Sequence, residues 1–513
     1  MTSGLANMNW ASVLEHHADR RGDAPLAVYE GTTTSYREML VRTRRLAAGL
    51  EEMGVVRGDV VGLLAYNCDA FLEVIFAVSH LGAVPMPINW RLAPSEVRYI
   101  LDNSESSVLV TDGDLLDTAR RAGAGSEGVR GICIDPVAEP GWVGLADLRL
   151  PDPGTPCAVV APDDLHRLMY TSGTTSHPKG VMISYGNLIW KNIAHVVEFG
   201  FTADDIGLVC GPLYHVGALD LTATTMIYAG GSVVIHRRFE AGAVVEEIER
   251  SRITNLWLAP SMINAILDLP GVEDRDLRSV RVIIDGGEKM PMPLIERLGR
   301  IFPSAWFADA YGLTETVSGD TFLDKRRTLE KLGSVGKPCL HVELDVWDED
   351  GRSLAAGERG EIVLRGPKVF KGYWKNEQAT KEAFRGGWFH TGDVGMLDED
   401  GYLYVVDRLK DIIISGGENI AGSEVERGLY EHGAVLDAAV VAKPDVRWGE
   451  VPVAFVVLRE GAEVSADDLI ESCARHLAGF KVPTEIHFLD ELPRNPSGKV
   501  LKRALRARWD AAR

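Results

Sequence analysis

Short β-branched runs alternate with amphipathic stretches along this chain, and that rhythm constrains the fold more than any single motif. Apolar runs at 60–64, 84–88 and 108–111 follow one another, with a helical pattern at 69–81 after the first. Runs at 232–236, 255–259 and 280–284 repeat the order, separated by helical patterns such as 243–252. A helix buries its apolar stripe against a sheet, so strand and helix in alternation predict an α/β class with two stacked sheets of related build. The texture changes near Gly360. Strand-like segments at 361–365 and 402–406 surround turns at Asp398-Glu399-Asp400-Gly401, as in a small β-rich subdomain. A fresh α+β unit follows Arg408, which divides the chain into 1–408 and 409–513 with a boundary near Lys410.

The densest chemical signal is Tyr170-Thr171-Ser172-Gly173-Thr174-Thr175-Ser176-His177-Pro178-Lys179-Gly180. Glycine lets backbone N–H groups turn inward, hydroxyls donate to phosphoryl oxygens and the ammonium answers their charge, so the segment reads as an anion-binding loop for a nucleotide. A Walker loop places glycine directly before the lysine and a hydroxyl directly after it; here Pro178 and Gly180 hold those positions. The net charge sharpens the reading. Lys and Arg number 54 against 74 Asp and Glu, or −20, which repels nucleic acid and anionic lipid and leaves any polyanion to be held by local groups.

The six cysteines, at 68, 133, 157, 210, 339 and 473, form no C-x-x-C pair and no metal-like spacing with histidine, so buried free thiols are expected. The longest apolar stretch, 71–88, is interrupted by Glu73, His80 and Pro85 and is too polar for a bilayer span. No basic region followed by an apolar one opens the chain, which points to a cytoplasmic protein without integral membrane association.

A second constellation, Ala308-Asp309-Ala310-Tyr311-Gly312-Leu313-Thr314-Glu315-Thr316, combines an aromatic face for a base, a hydroxyl for phosphate and a hard carboxylate of the kind Mg²⁺ prefers. Further along stand Trp388-Phe389-His390-Thr391-Gly392-Asp393, then Tyr404-Val405-Val406-Asp407-Arg408-Leu409-Lys410-Asp411, then Ile412-Ile413-Ile414-Ser415-Gly416-Gly417-Glu418-Asn419. Pro493-Arg494-Asn495-Pro496-Ser497-Gly498-Lys499 closes the set. In this order the motifs resemble the adenylate-forming superfamily of acyl-CoA synthetases, luciferases and nonribosomal-peptide adenylation domains, and the resemblance covers essentially the whole chain.

The resemblance implies a large N-terminal domain followed by a small mobile C-terminal domain that carries a catalytic lysine. It also implies a two-step reaction: a carboxylate attacks the α-phosphate of ATP, giving acyl-adenylate and pyrophosphate, and a thiol such as that of coenzyme A then displaces AMP. Thr171, Ser172, Gly173, Thr174, Thr175 and Lys179 would hold the pyrophosphate portion, Glu315 with Thr171 would ligate Mg²⁺, and Thr314 would touch the α-phosphate. Adenine would lie between Tyr311 and the Gly286-Gly287-Glu288 backbone, beside Ala310 and Gly312, with Asp309 accepting from its amino group. Asp393 would accept both ribose hydroxyls, with Arg408 as a further donor. Lys499 would stabilise charge at the α-phosphate and carboxylate during adenylation. Rotation about Lys410 would then bring the Gly416-Gly417 face over the adenylate.

In Pro212-Leu213-Tyr214-His215-Val216-Gly217 the imidazole of His215 matches the family's aromatic gate beside the acyl pocket, and Val216 stands near the place where amino-acid-activating relatives carry an aspartate. Gly217, Ala218, Gly312 and Gly319 suggest a roomy pocket for a bulky aliphatic, aromatic or alicyclic acid. Two departures stand out: Ser176 where the loop normally has glycine, and Ala421-Gly422 after Gly-Glu-Asn-Ile. A Cβ at Ser176 would strain a left-handed position and slow adenylation. The expected activity is therefore acyl-CoA synthesis, with thioesterification of a supplied adenylate and carrier-protein loading in secondary metabolism as alternatives. The expected partners are the small-molecule acid and CoA, with no nucleic acid, and a homodimer as the assembly.

Overall fold

The computed structural model describes residues 7–126, 128–171, 178–286, 292–328, 330–408, 411–415, 418–445, 447–475, 477–494 and 499–510. Two layered sheets dominate the larger part. One has nine strands in the order Lys337–Pro338, Thr321–Phe322, Trp306–Tyr311, Val282–Gly286, Asn255–Leu258, Ile206–Val209, Ser232–Ile235, Pro25–Tyr29, Thr32–Ser35. From Trp306–Tyr311 to Pro25–Tyr29 every pairing is parallel. The other is a fully parallel sheet of Val84–Pro87, Val60–Leu64, Val108–Thr111, Arg130–Cys133 and Trp142–Gly144. Parallel strands are covered on both faces, which is why Val60–Leu64 and Val108–Thr111 are buried at every position.

The helix Asp69–His80 is apolar almost all round and lies in the core shared by both sheets, where Trp10 stacks on Phe76 at 5.8 Å. Of its two carboxylates, Asp69 opens the first turn and pairs with Arg42 at 2.7 Å, while Glu73 is fully buried and receives a bidentate pair from Arg149 at 2.8 and 2.7 Å. A short hairpin of Leu165–Thr171 and Lys179–Ser184 pairs Thr171 with Lys179 at the end where the connecting loop leaves it and feeds the helix Tyr185–Phe199 through a Ser184–Asn187 capping box.

The β-rich subdomain is an antiparallel sheet of Glu343–Trp347, Gly360–Arg365, Trp388–Leu397, Phe384–Arg385 and Leu403–Arg408. It begins at Glu343, ahead of the change expected near Gly360, because Glu343 pairs across to Arg365 as the outer strand. Beyond it lies the α+β unit, a sheet of Glu418–Ile420, Ile413–Ser415, Gly449–Leu458, Val435–Asp445 and Glu485–Phe488 with its own apolar core. This unit meets the body through Ser423, whose amide donates to Asp407 at 3.3 Å, and through Arg359, 3.9 Å from Glu424. All six cysteines are buried and free. Among the described residues no helix is long and apolar enough to cross a membrane.

Candidate active site

The parallel strands of the larger sheet deliver their C-terminal ends to one edge, where open α/β sheets bind ligands. Val282–Gly286 and Trp306–Tyr311 run side by side there, pairing Asp285 with Asp309 and Gly286 with Ala310. A Cβ on Gly286 would sit 2.9 Å from the Ala310 carbonyl oxygen, so glycine is what lets the two strands end this close together. Past Tyr311 the chain enters the turn Thr314–Thr316, with Gly312 exposed and Thr314 and Glu315 half-buried.

An aromatic side chain that the sequence motifs did not include ties two of them together. Tyr373 donates its hydroxyl to Glu315 Oε1 at 2.9 Å, and the Lys179 ammonium lies 5.0 Å from the centroid of the same ring. The segment 366–374 that carries Tyr373 forms a strap. On one side the Phe370 amide donates to the Glu315 carbonyl at 2.7 Å. On the other, Lys371 and Trp374 amides donate to Met182 and Gly180 carbonyls at 2.9 and 2.7 Å, and the Asn187 amide group donates to the Pro367 and Val369 carbonyls at 2.8 Å each. The strap thereby holds the strand Lys179–Ser184 against the segment that carries Glu315. Among the described residues no group of three or more His, Cys, Asp and Glu gathers. The hard oxygens of Glu315 and Thr171 suit Mg²⁺, which takes few protein ligands and fills its sphere with phosphate and water.

The Tyr311 hydroxyl donates to Asp393 Oδ2 at 2.8 Å, and both residues are buried. Burial and the neighbouring Asp393 carboxylate push the phenol well above its usual range, so Tyr311 stays a proton donor. Asp393 pairs in the sheet with Arg408, placing those two backbones side by side. Asp309 is buried, its carbonyl taking the Leu323 amide at 2.9 Å.

His215 faces Trp257 at 5.6 Å between ring centroids, and its Nδ1 accepts the Gly217 amide at 3.0 Å. That bond leaves the proton of the neutral ring on Nε2. Burial, reinforced by the Lys499 ammonium, pulls the imidazole down to about 4. Lys499, on the C-terminal unit and exposed, is thus near enough to His215 to act on it electrostatically. The glycines expected to open a pocket do a different job. A Cβ on Gly217 would meet the Trp257 ring at 2.5 Å, one on Gly312 the Gly319 nitrogen at 2.3 Å, and one on Gly319 the Phe322 ring at 2.5 Å. The space they vacate is filled by neighbours, and Ala218 is buried as well.

Behind His215 runs a π-helical turn, Gly217–Thr224, of the kind frequent at functional sites. Its Asp220 pairs with Arg167 at 2.6 Å, both fully buried, while Lys191 donates to Asn192 Oδ1, the Asp220 carbonyl and the Thr224 and Thr225 hydroxyls at 2.6 to 3.2 Å. Burial lowers Lys191 to about 7. The structure brings together Lys179, Glu315 and Tyr373; Tyr311 and Asp393; and His215 and Lys499. Ser172, Gly173, Thr174, Thr175 and Ser176 lie outside the described residues, as do Gly287, Glu288, Lys410, Gly416 and Gly417, and of Arg408 only the backbone is described.

Residues 14–374 match the family described as AMP-binding enzyme, and residues 424–499 match the AMP-binding enzyme C-terminal domain. The chain is 40% identical over 479 residues to a feruloyl-CoA synthase of Amycolatopsis sp, covering 93% of this chain and 94% of that protein. It is 36% identical over 500 residues to an indoleacetate–CoA ligase of Aromatoleum aromaticum, covering 96% and 97%. Among solved structures it is similar to o-succinylbenzoate CoA synthetase from Bacillus subtilis in complex with its acyl-adenylate, at TM-score 0.86, 33% identity and 97% coverage of both chains. It is also similar to the anthranilate CoA ligase AuaEII in complex with anthranoyl-AMP, at TM-score 0.92 and 26% identity, covering 100% and 99%.

Proposed function

The chain belongs to the AMP-binding enzyme family, and from that premise we propose that it is an AMP-forming acid–CoA ligase that activates a bulky aromatic carboxylic acid. The observation that carries the reading is the gathering of Glu315 and Lys179 on Tyr373, with Lys499 of the C-terminal unit near enough to His215 to act on its charge. In the first step a carboxylate oxygen forms a bond to the α-phosphorus of ATP and the bond to the pyrophosphate oxygen breaks. In the second the CoA sulfur bonds to the acyl carbon, the bond to AMP breaks and the thiol proton passes to solvent.

Lys179 is suited to neutralise the outgoing pyrophosphate, and Lys499 to stabilise charge at the α-phosphate without losing its proton. Mg²⁺ bound through Glu315 and Thr171 would supply further charge neutralisation at the phosphates. With Nδ1 occupied and Nε2 protonated, His215 offers a hydrogen-bond donor to a substrate oxygen rather than a base for the thiol. The Trp257 and His215 rings supply a flat wall that favours an aromatic acid, as do the feruloyl and indoleacetate substrates named for the relatives. Residues 1–408 would form the adenylate-binding body and 409–513 the lysine-bearing domain, turning about Lys410.

The test separates the half-reactions. A panel of carboxylic acids with ATP and Mg²⁺ is scored for pyrophosphate, and the matching synthetic acyl-adenylates with CoA are scored for thioester by mass spectrometry. Both products are expected, aromatic acids leading. Lys499→Ala should suppress adenylation far more than thioester formation. Thioester without pyrophosphate from any acid would overturn the complete reaction and point to Ser176.

A further inference from the structure

Between Tyr311 and Thr321 the chain makes a hook. Val317, Ser318 and Gly319 adopt φ of 56°, 69° and 52°, three consecutive left-handed residues, one of them β-branched. Such a run is strained and persists only where its surroundings fix it. The hook is closed by the Ser318 amide on the Leu313 carbonyl at 2.9 Å and the Asp320 amide on the Tyr311 carbonyl at 2.7 Å. Gly312 packs directly against Gly319, where any side chain would collide. At its crest stand Thr314 and Glu315.

The interior of the hook holds an ammonium. Lys368 Nζ donates to the Ser318 and Gly319 carbonyls at 2.6 and 2.5 Å and pairs with Asp320 Oδ1 at 2.9 Å, and both side chains are 1% exposed. One cation thus faces one anion and two carbonyl dipoles. The Thr316 hydroxyl links Asp320 to the Leu313 amide, and His195 Nε2 lies 3.0 Å from the Gly319 carbonyl. Left-handed residues in series aim their carbonyls at one point, and here a tethered cation occupies it. Lys368 also belongs to the strap whose Phe370 amide and Tyr373 hydroxyl grip Glu315, so one segment fixes the hook from inside and its crest from outside.

We propose that Lys368 is a positioning residue of the adenylation step: without touching substrate, its ammonium sets the hook that presents Thr314 and Glu315 to Mg²⁺-nucleotide. The inference rests on the acyl-adenylate reading above. It predicts a selective defect, because nucleotide bound with its metal needs the crest in place, whereas AMP and a preformed adenylate lean on the Tyr311 and Asp393 side.

The test uses the full chain as Lys368→Met, which keeps volume and deletes charge, and as Lys368→Met/Asp320→Asn, which also removes the stranded carboxylate and serves where the single variant does not fold. Calorimetric titration should show Mg²⁺-ATP binding weakened at least tenfold with AMP binding within threefold of wild type. The Mg²⁺ concentration for half-maximal pyrophosphate release should rise at least tenfold, while thioester formation from synthetic adenylate stays within threefold. Lys368→Arg, which restores the charge, should recover part of the Mg²⁺-ATP affinity. Unchanged Mg²⁺-ATP affinity in a folded variant would overturn the proposal, and so would equal losses for ATP, AMP and both half-reactions. A wild type that binds Mg²⁺-ATP but releases no pyrophosphate would instead overturn the functional reading, leaving the binding comparison intact.

Discussion

Two clusters of buried charge lie along the helix Tyr185–Phe199, and they are balanced differently. Around Lys368 one ammonium meets one carboxylate and two carbonyls, so charge is balanced one to one. One helical turn away, at Lys191, two cations share one carboxylate: Arg167 takes Asp220 and Lys191 is left with neutral oxygens. The guanidinium has Nε and Nη1 without hydrogen-bond partners among the described residues. A balanced cluster acts as a fixed mount, whereas an overcharged one holds a group whose charge state depends on the solution. The first backs the hook that carries Thr314 and Glu315, the second backs the π-helical turn behind His215.

The comparison is most sharply broken by removing one partner of the unbalanced cluster. Arg167→Met strands a fully buried carboxylate and should cost about 3–5 kcal/mol of apparent stability in urea, much of it recovered in Arg167→Met/Asp220→Leu. A single variant that loses nothing would show that Lys191 alone balances Asp220.

A smaller effect reads the charge of Lys191 directly. Its folded value of about 7 lies below the ordinary 10.5, so between them the unfolded chain binds the extra proton. Stability therefore rises with pH across that window, and the cost of the buried charge is fully present below it. Wild type should gain on the order of 1–2 kcal/mol relative to Lys191→Met between about pH 7.5 and 9. A flat difference would mean the ammonium keeps its charge throughout.

Smaller still, Tyr373→Phe deletes the hydroxyl on Glu315 and leaves both clusters alone. Pyrophosphate release should fall about tenfold, roughly 1.4 kcal/mol, with unfolding nearly unmoved. A loss of stability instead would place Tyr373 with the mounts. At the bottom of the scale the exposed Arg352–Asp350 pair should contribute nothing measurable, since Arg352→Ala removes a bond that water replaces. Any clear shift there would undermine the weight given to burial.

Local patterns carried the reading of the fold far. The alternation at 60–64, 69–81 and 108–111 became strand, helix and strand, and two residues from separate motifs, Tyr311 and Asp393, meet in a hydrogen bond. What local pattern does not encode is pairing at a distance. Tyr373 lies 58 residues from Glu315, and Lys368 lies 49 and 50 residues from the carbonyls it holds, so neither has a periodic signature. The glycines misled for a related reason. Missing side chains at 217, 312 and 319 are visible in the sequence, but whether a substrate or Trp257 fills the space is decided by elements folded in from elsewhere.

The strap also dates the birth of the site during synthesis. Asn187 bonds to Pro367 and Val369 across 180 and 182 residues, and the amides of Lys371 and Trp374 reach Met182 and Gly180 of the hairpin across a comparable length of chain. At ribosomal rates of about 5–20 residues per second, the hairpin emerges roughly ten to forty seconds before its cover exists. For that interval a growing chain exposes Lys179–Ser184 as an open edge with unpaired amides at Met182 and Trp374's future position at Gly180 unclaimed. A nascent protein of this design has a long window in which it needs shelter from its neighbours, and it acquires the ability to hold nucleotide late, as a property of the nearly finished chain.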